Sequence, residues 1–358
     1  VLIALNTATG AAAWPPQNVP AVAAVSGAGI AVDDQYIYTY GAGTVYAWNL
    51  SDGQKAWSKS SGLPIAQPDS SVPLLGILGL IGSTLILGAP AIDPSNPPSL
   101  AGFDVSARAT VWIRKPVELL TYLPSDAEPS TASIAVTVPG AGSLFYVTLS
   151  DPVAMRVLKA VNPQTGKDVW HTAFTHRTQN NASGTPTVTG TAGHVYLTDM
   201  HSGSIHAYDT TGTWKWTHPD PDAPDHVTLA DEQRYTGPVV EADGVVYATN
   251  ARSVIALDAL TKSPSGATVW QQSKQFNGLR GAPVVVGDKI WVEVHTPTGA
   301  TPLALTVLNR SDGQPVHQYQ MPEGSTASSA DLLVADPDSP AVYVLTASGQ
   351  VLGYRRAE

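Results

Sequence analysis

The feature that most restricts how this chain can fold is a short motif that returns along its whole length. Ile3-Ala4-Leu5-Asn6 leads to Thr9-Gly10 and then Trp14. Tyr46-Ala47-Trp48-Asn49 leads to Asp52-Gly53 and Trp57, and Lys159-Ala160-Val161-Asn162 leads to Thr165-Gly166 and Trp170. His206-Ala207-Tyr208-Asp209 leads to Gly212 and Trp216; Ile255-Ala256-Leu257-Asp258 leads, past a short insertion, to Gly266 and Trp270. Two copies are degraded. Gly102-Phe103-Asp104 leads to Trp112 with Arg108 where the glycine belongs, and Thr306-Val307-Leu308-Asn309 leads to Asp312-Gly313 with His317 in place of the tryptophan. Leu352-Gly353-Tyr354 is a last partial copy.

Each residue type has a physical reason. Asn or Asp starts a turn through its own side chain, and Gly supplies the positive φ that closes it. Ala in the strand before the turn leaves room for a bulky neighbour, and Trp in the strand after it brings enough area to glue one repeat to the next. Two more β-rich runs precede most copies. Thr185-Pro186-Thr187-Val188 goes with His194-Val195-Tyr196-Leu197, Gly237-Pro238-Val239-Val240 with Val245-Val246-Tyr247-Ala248, and Gly281-Ala282-Pro283-Val284 with Lys289-Ile290-Trp291-Val292. Short Gly- or Asp-containing turns join them, as hairpins require.

With the strands of one repeat lettered A to D, the chain reads C-D, six full A-B-C-D units, and A-B-C. A four-stranded unit of roughly 40–50 residues repeated this way is an all-β β-propeller. Seven A-B pairs favour seven blades, closed by pairing of the N- and C-terminal segments; eight third-strand motifs make eight blades the alternative. No domain boundary interrupts residues 1–358, so a single domain is expected. Composition agrees: charged residues are only 13% while Gly and Pro number 31 and 29, which suits short strands and tight turns over helices. The uncharged stretch Val72–Gly88 is short for a membrane span and is broken at Gly82-Ser83-Thr84, so it is expected to be two buried strands around a turn.

The motif Ala-Leu-Asp/Asn…Thr-Gly…Trp resembles the repeat of the pyrroloquinoline quinone (PQQ)-type β-propellers, across essentially the whole chain. That family holds quinoprotein dehydrogenases, the outer-membrane assembly lipoprotein and extracytoplasmic sensor domains. The dehydrogenases are much longer; many stack the quinone on a disulfide between adjacent cysteines and coordinate Ca2+ with Glu, Asn and Asp. This chain has no cysteine, and no such calcium set falls on its motifs. The resemblance therefore implies the non-enzymatic branch: a bacterial, extracytoplasmic binding scaffold for a protein, peptide or envelope ligand, on the periplasmic or cell-envelope side. Membrane association would come through a segment outside residues 1–358. A PQQ- or Ca2+-dependent oxidoreductase and the sensor domain of a membrane-anchored protein or kinase are the alternatives.

The formal charge of -10 and the absence of a basic run argue against nucleic acid as partner. In the A-to-D order, A-B and C-D turns share one face, while B-C and D-A connections share the other. Nearly all elaboration falls on the second, in residues 89–99, 113–131, 171–184, 217–235 and 295–302. Residues just before the A strands should ring the axis there: Arg234, Tyr235 and Arg280, with Asp69, Ser183 and Ser328 at equivalent places. His176 and His295 lie in the same connections. Two arginines in such a ring suit a carboxylate or phosphate. The most acidic loop carries Asp220, Asp222, Asp225, Asp231 and Glu232, an oxygen-ligand set for Ca2+ without EF-hand spacing. No nucleophile elbow, P-loop or dinucleotide fingerprint is present, so no catalytic residue is assigned.

Overall fold

A computed structural model describes residues 1–19, 29–63, 76–89, 99–114, 133–137, 143–150, 156–174, 187–191, 193–199, 203–219, 235, 237–250, 252–273, 279–295, 302–320, 333–335, 341–345 and 351–355. No helix occurs among them. The chain divides into two compact units, Val1–Thr175 and His176–Glu358.

The first unit opens with a hairpin in which Leu2 bridges Gln17 and Leu5 bridges Ala12. Three four-stranded sheets follow. The first joins β1 (Ala31–Val32), β2 (Tyr36–Gly41), β3 (Thr44–Asn49) and β4 (Lys55–Ser60). The second joins β5 (Ile77–Ile81), β6 (Thr84–Ala89), β7 (Ser99–Asp104) and β8 (Ala109–Arg114). The third joins β9 (Ser133–Thr137), β10 (Phe145–Ser150), β11 (Arg156–Val161) and β12 (Asp168–Phe174). Every pairing is antiparallel and every sheet is a meander in chain order, the arrangement short turns impose.

The second unit repeats the plan. The fourth sheet joins β13 (Thr187–Gly190), β14 (His194–Asp199), β15 (Ser204–Asp209) and β16 (Trp214–His218); the fifth joins β17 (Val240–Ala242), β18 (Val245–Thr249), β19 (Val254–Asp258) and β20 (Thr268–Gln272). The sixth joins β21 (Leu279–Val286), β22 (Lys289–His295), β23 (Pro302–Asn309) and β24 (Pro315–Gln320). The seventh has three strands among the described residues, β25 (Leu333–Ala335), β26 (Ala341–Leu345) and β27 (Val351–Arg355).

The uncharged stretch from Val72 behaves as its turn chemistry requires. Gly82, at φ 56°, turns β5 into β6, and Leu85, Ile86 and Leu87 are fully buried. No helix among the described residues is long and apolar enough to cross a membrane.

The core is a series of clusters between neighbouring sheets. In the first unit Leu2 and Trp14 of the hairpin pack on Ile37 and Trp48 of the first sheet. Tyr38, Val45 and Trp57 of the first sheet meet Ile77, Leu85 and Phe103 of the second, and Ile86 and Leu100 of the second meet Phe145 and Val157 of the third. In the second unit the fourth and fifth sheets meet through Trp216, Val246 and Leu257, the fifth and sixth through Val254 and Ile290, and the sixth and seventh through Trp291 and Val342. Stability therefore resides in nearest-neighbour seams, as in repeat architectures generally.

Within a sheet, one row explains the small third-strand residue. Tyr38, Ala47 and Trp57 stand opposite one another across β2, β3 and β4. The same row recurs as Tyr146-Ala160-Trp170, Tyr196-Ala207-Trp216 and Tyr247-Ala256-Trp270. The two rings reach over the methyl group to centroid separations of 5.9, 6.0, 5.9 and 6.0 Å. In the second sheet the middle residue is Gly102, where a Cβ would stand 2.2 Å from the Trp112 indole nitrogen.

The sixth sheet departs from the pattern of the others, because His317, which stands in the tryptophan's place in the repeat, is not packed as a Trp is. Its row is Trp291-Val307-His317, and His317 is exposed. Val307 fills the space that Ala leaves elsewhere, so a ring at 317 has no seat. Tyr319, two residues on, takes over: it stacks on Trp291 at 5.6 Å and lies 5.3 Å from Tyr354.

Candidate functional site

The turns that join strands C and D are the best-defined polar structures in the molecule. Asn6 Oδ1 accepts hydrogen bonds from the backbone N–H groups of Ala8 and Thr9, both at 3.0 Å, and Asn162 Oδ1 does the same for Gln164 and Thr165. The following glycines adopt the left-handed conformation, with φ of 70° at Gly10, 71° at Gly53, 66° at Gly166, 83° at Gly212, 73° at Gly266 and 69° at Gly313. A side-chain-capped turn of this kind is rigid and presents its carbonyls outward.

The tryptophan of one repeat reads the turn of the next. Trp14 Nε1 donates to the Leu50 carbonyl, Trp112 to Pro163, Trp216 to Ala259 and Trp270 to Arg310, at 3.3, 2.6, 3.3 and 3.0 Å. The acceptor is in each case the residue directly after the turn's Asn or Asp. The indole then covers the turn glycine. A Cβ on Gly53 would stand 2.6 Å from Trp14, and one on Gly166 or Gly313 would stand 2.5 Å from Trp112 or Trp270. Glycine is thus needed twice, for φ and for the approach of the ring. Where Arg108 replaces it, the arginine itself adopts φ 54°, and its guanidinium lies 5.4 Å from the Trp57 ring centroid.

Charged clusters reinforce three seams. Arg114 pairs with Asp168 and donates to the Gly166 carbonyl at 2.9 Å; Lys159, fully buried, lies 3.4 Å from the other Asp168 oxygen. Burial holds the Lys159 amine below its ordinary range, against the opposing pull of Asp168. Between the fourth and fifth sheets Glu241 accepts from Tyr196 Oη at 2.8 Å and Thr191 Oγ1 at 2.9 Å, and His194 Nδ1 stands at 3.2 Å. Burial, then the Glu241 charge, pushes the Tyr196 hydroxyl upward. Between the fifth and sixth sheets Arg310 donates to Tyr247 Oη at 3.0 Å and the Ala242 carbonyl at 2.7 Å, and pairs with Asp243 at 2.7 Å.

Around Arg310 opens a cleft of about 650 Å3, lined by Tyr247, Trp270, Asp288 and Asn309 among others. The faces of Trp270 are taken by Gly313 and Tyr247, and Arg310 spends its donors on the seam. These groups hold sheets together; they present neither an aligned nucleophile and base nor a vacant cation.

The structure describes the expected ligand-binding set only in part. Tyr235 is 5% exposed and packs with Trp216, Val239 and Ala259, its ring 6.1 Å from His218; burial pushes its hydroxyl upward. Arg280 lies on β21 opposite Glu293, and His295 on β22 opposite Pro302. Arg234, Asp69, Ser183, Ser328 and His176 lie outside the described residues, as do Asp220, Asp222, Asp225, Asp231 and Glu232 of the acidic loop. Among the described residues no three His, Cys, Asp or Glu side chains form a group able to hold a metal. The charged seam clusters escaped the sequence reading, because their members lie some 50 residues apart with no local spacing to mark them.

The model of the outer membrane protein assembly factor BamB family matches residues 1–76, 98–261 and 201–358. The chain belongs to this family. BamB from Moraxella catarrhalis is similar in structure at a TM-score of 0.57 and 18% identity, over 98% of this chain and 87% of that one. A europium-containing methanol dehydrogenase superposes at 0.61 with 12% identity, over 98% of this chain and 77% of that one. No curated protein sequence matches the chain. At these identities the two likenesses speak for the propeller fold alone. The BamB-family motif now has a geometric meaning: its Trp, Asn/Asp and Gly are the three parts of one inter-sheet latch.

Proposed function

We propose that this BamB-family chain is a non-catalytic binding scaffold on the extracytoplasmic side of a bacterial membrane, docking a protein, peptide or envelope ligand through the face that carries its B-C and D-A connections. The observation behind this reading is the asymmetry of the strand connections. Most A-B and C-D turns are short, such as 82–83, 243–244 and 50–54. The D-A connections run 61–76, 115–132, 175–186, 219–239, 273–278 and 321–332. Long loops on one face of a rigid scaffold are the usual seat of recognition. Family membership supports a role in protein interaction in general.

In this reading Arg234 and Arg280 hold an acidic group of the partner, and Asp220, Asp222 and Asp225 lie on the same face. A photo-crosslinking residue placed at Asp220 or Arg234 should capture partner protein, whereas one at Asp52 or Asp312, on the opposite turns, should not. Equal capture at both sets, or unchanged capture after Arg234→Ala with Arg280→Ala, removes the assignment. Quinone-dependent oxidation is the competing reading, carried by the methanol dehydrogenase likeness. Among the described residues no three His, Cys, Asp or Glu side chains group to hold a metal, and the sequence has no cysteine for the disulfide on which many such dehydrogenases stack the quinone. Dye reduction after incubation with PQQ and Ca2+ would favour that reading.

A further inference from the structure

Three turns of the second unit converge on the cleft beside Arg310. Asp243 comes from the turn between β17 and β18, Asp288 from the turn between β21 and β22, and Asn309, Arg310 and Ser311 from the turn between β23 and β24. The rest of the lining is largely apolar and includes Val245, Trp270 and Val269, the last left unpaired on β20 by a register shift and 52% exposed. The polar groups are fixed in place. The Arg310 backbone N–H donates to the Asp288 carbonyl at 3.0 Å, and its guanidinium is held by Tyr247, the Ala242 carbonyl and Asp243. Lys289 donates to Asn309 Oδ1 at 3.0 Å and pairs with Asp288. A few fixed polar groups set among apolar ones in about 650 Å3 is the usual form of a small-molecule site.

The arrangement of charge narrows what the cleft can take. The carboxylates project outward, with the Asp243 and Asp288 side chains 86% and 71% exposed, while their cations Arg310 and Lys289 lie behind them at 19% and 9%. An anion would meet two carboxylates in front of cations already engaged. A cation would meet carboxylates whose charge is matched one for one. A hydroxyl group needs no unmatched charge. It donates to a carboxylate, which has lone pairs beyond those its ion pair uses, and accepts from the Asn309 amide or the Ser311 hydroxyl. The C–H faces of a sugar ring suit Val245 and Val269. The corresponding turns of the first sheet line a smaller cleft of about 480 Å3, where Leu50 stands in the place of Arg310 and brings no guanidinium.

We propose that the cleft between the fifth and sixth sheets is a binding site for a neutral saccharide of about two rings, a size its volume accommodates. Asp243 and Asp288 accept from the sugar hydroxyls, Asn309 and Ser311 donate to them, and Val245 and Val269 receive the apolar face of a ring. Because the ion pairs and the turn hydrogen bonds already hold these groups, little side-chain order is lost on binding. The site lies on the face of the short turns, away from the long connections, and neither reading depends on the other.

The probes are cellobiose, maltose and N,N′-diacetylchitobiose, titrated into the whole chain and followed by calorimetry and by amide chemical shifts. At least one should bind saturably at concentrations up to about 10 mM. Shifts should move at residues 288–289 and 309–311 and stay still at 34–36 and 49–51. The charged counterparts, cellobiouronic acid and the diamine left by removing both acetyl groups from N,N′-diacetylchitobiose, should each bind about tenfold more weakly than the neutral sugar they derive from. Asp288→Ala should weaken binding about tenfold through the lost acceptor. Val269→Arg, which lays a long side chain across the cleft from an exposed position, should abolish binding at unchanged melting temperature. Should either variant unfold, the shift map of the unaltered chain carries the test. No saturable binding by any of the three sugars, equal or tighter binding of a charged counterpart, or shifts confined to other residues overturns the proposal.

Discussion

At the scale of single residues the latch separates two roles of glycine that sequence alone merges. Gly10 and Gly53 have nearly equal φ, 70° and 71°, yet a Cβ on Gly10 meets nothing within 4 Å while one on Gly53 runs into the Trp14 ring. Gly10→Ala should cost about 1 kcal/mol, the conformational penalty alone, and Gly53→Ala about 2–4 kcal/mol, in denaturant titrations of the two variants. Arg108 carries the same φ with a side chain and is partly compensated by Trp57. Arg108→Ala should therefore be less stable than Arg108→Gly by about 1 kcal/mol, since both lose the cation–π contact and only glycine relieves the backbone. His218 gives a pH signature. Burial holds its imidazole below the ordinary value of 6.5, and its Nδ1 donates to the Ser265 carbonyl. A depressed histidine is neutral in the folded state, so its contribution is fully present above pH 6.5 and lost as pH falls, when the unfolded chain takes up the proton. Between pH 7 and 5 the unaltered protein should lose stability faster than His218→Gln, by up to about 1.4 kcal/mol per pH unit.

At the scale of the strand and sheet, the aromatic-small-Trp row makes packing demands that couple distant positions. His317→Trp alone should destabilise the sixth sheet by about 1–3 kcal/mol, because Val307 occupies the seat. Together with Val307→Ala it should recover, and a double-mutant cycle should report a favourable coupling of about 0.5–3 kcal/mol. The existence of four-stranded units was legible in the sequence because Asn/Asp, Gly and Trp have strong local meanings. The role of Tyr38, Tyr146, Tyr196 and Tyr247 as the far side of the row was not legible. A tyrosine in a strand is ordinary, and only cross-strand register places it over the alanine. Tyr319 was missed for a related reason: it sits two residues beyond the motif position, and its choice depends on the volume of Val307 in another strand.

At the scale of the whole molecule, the fold rests on seams repeated between neighbouring sheets within each unit. If the chain binds no quinone, saturating PQQ and Ca2+ should leave the melting temperature unchanged; a ligand present at a hundred times its Kd would add about 2.7 kcal/mol and be seen at once. The composition and the recurring motif determined the class of structure by themselves: all-β, antiparallel, repeated, with Trp as the adhesive between repeats. Those properties follow from local backbone preference and from the spacing of a few large side chains. Tertiary structure alone decided which carbonyl each indole finds, that Tyr235 turns into the core, and that Glu241 gathers Tyr196, Thr191 and His194. These depend on burial and on approach between residues remote in the chain, quantities fixed only when neighbouring sheets come together and exclude water between them.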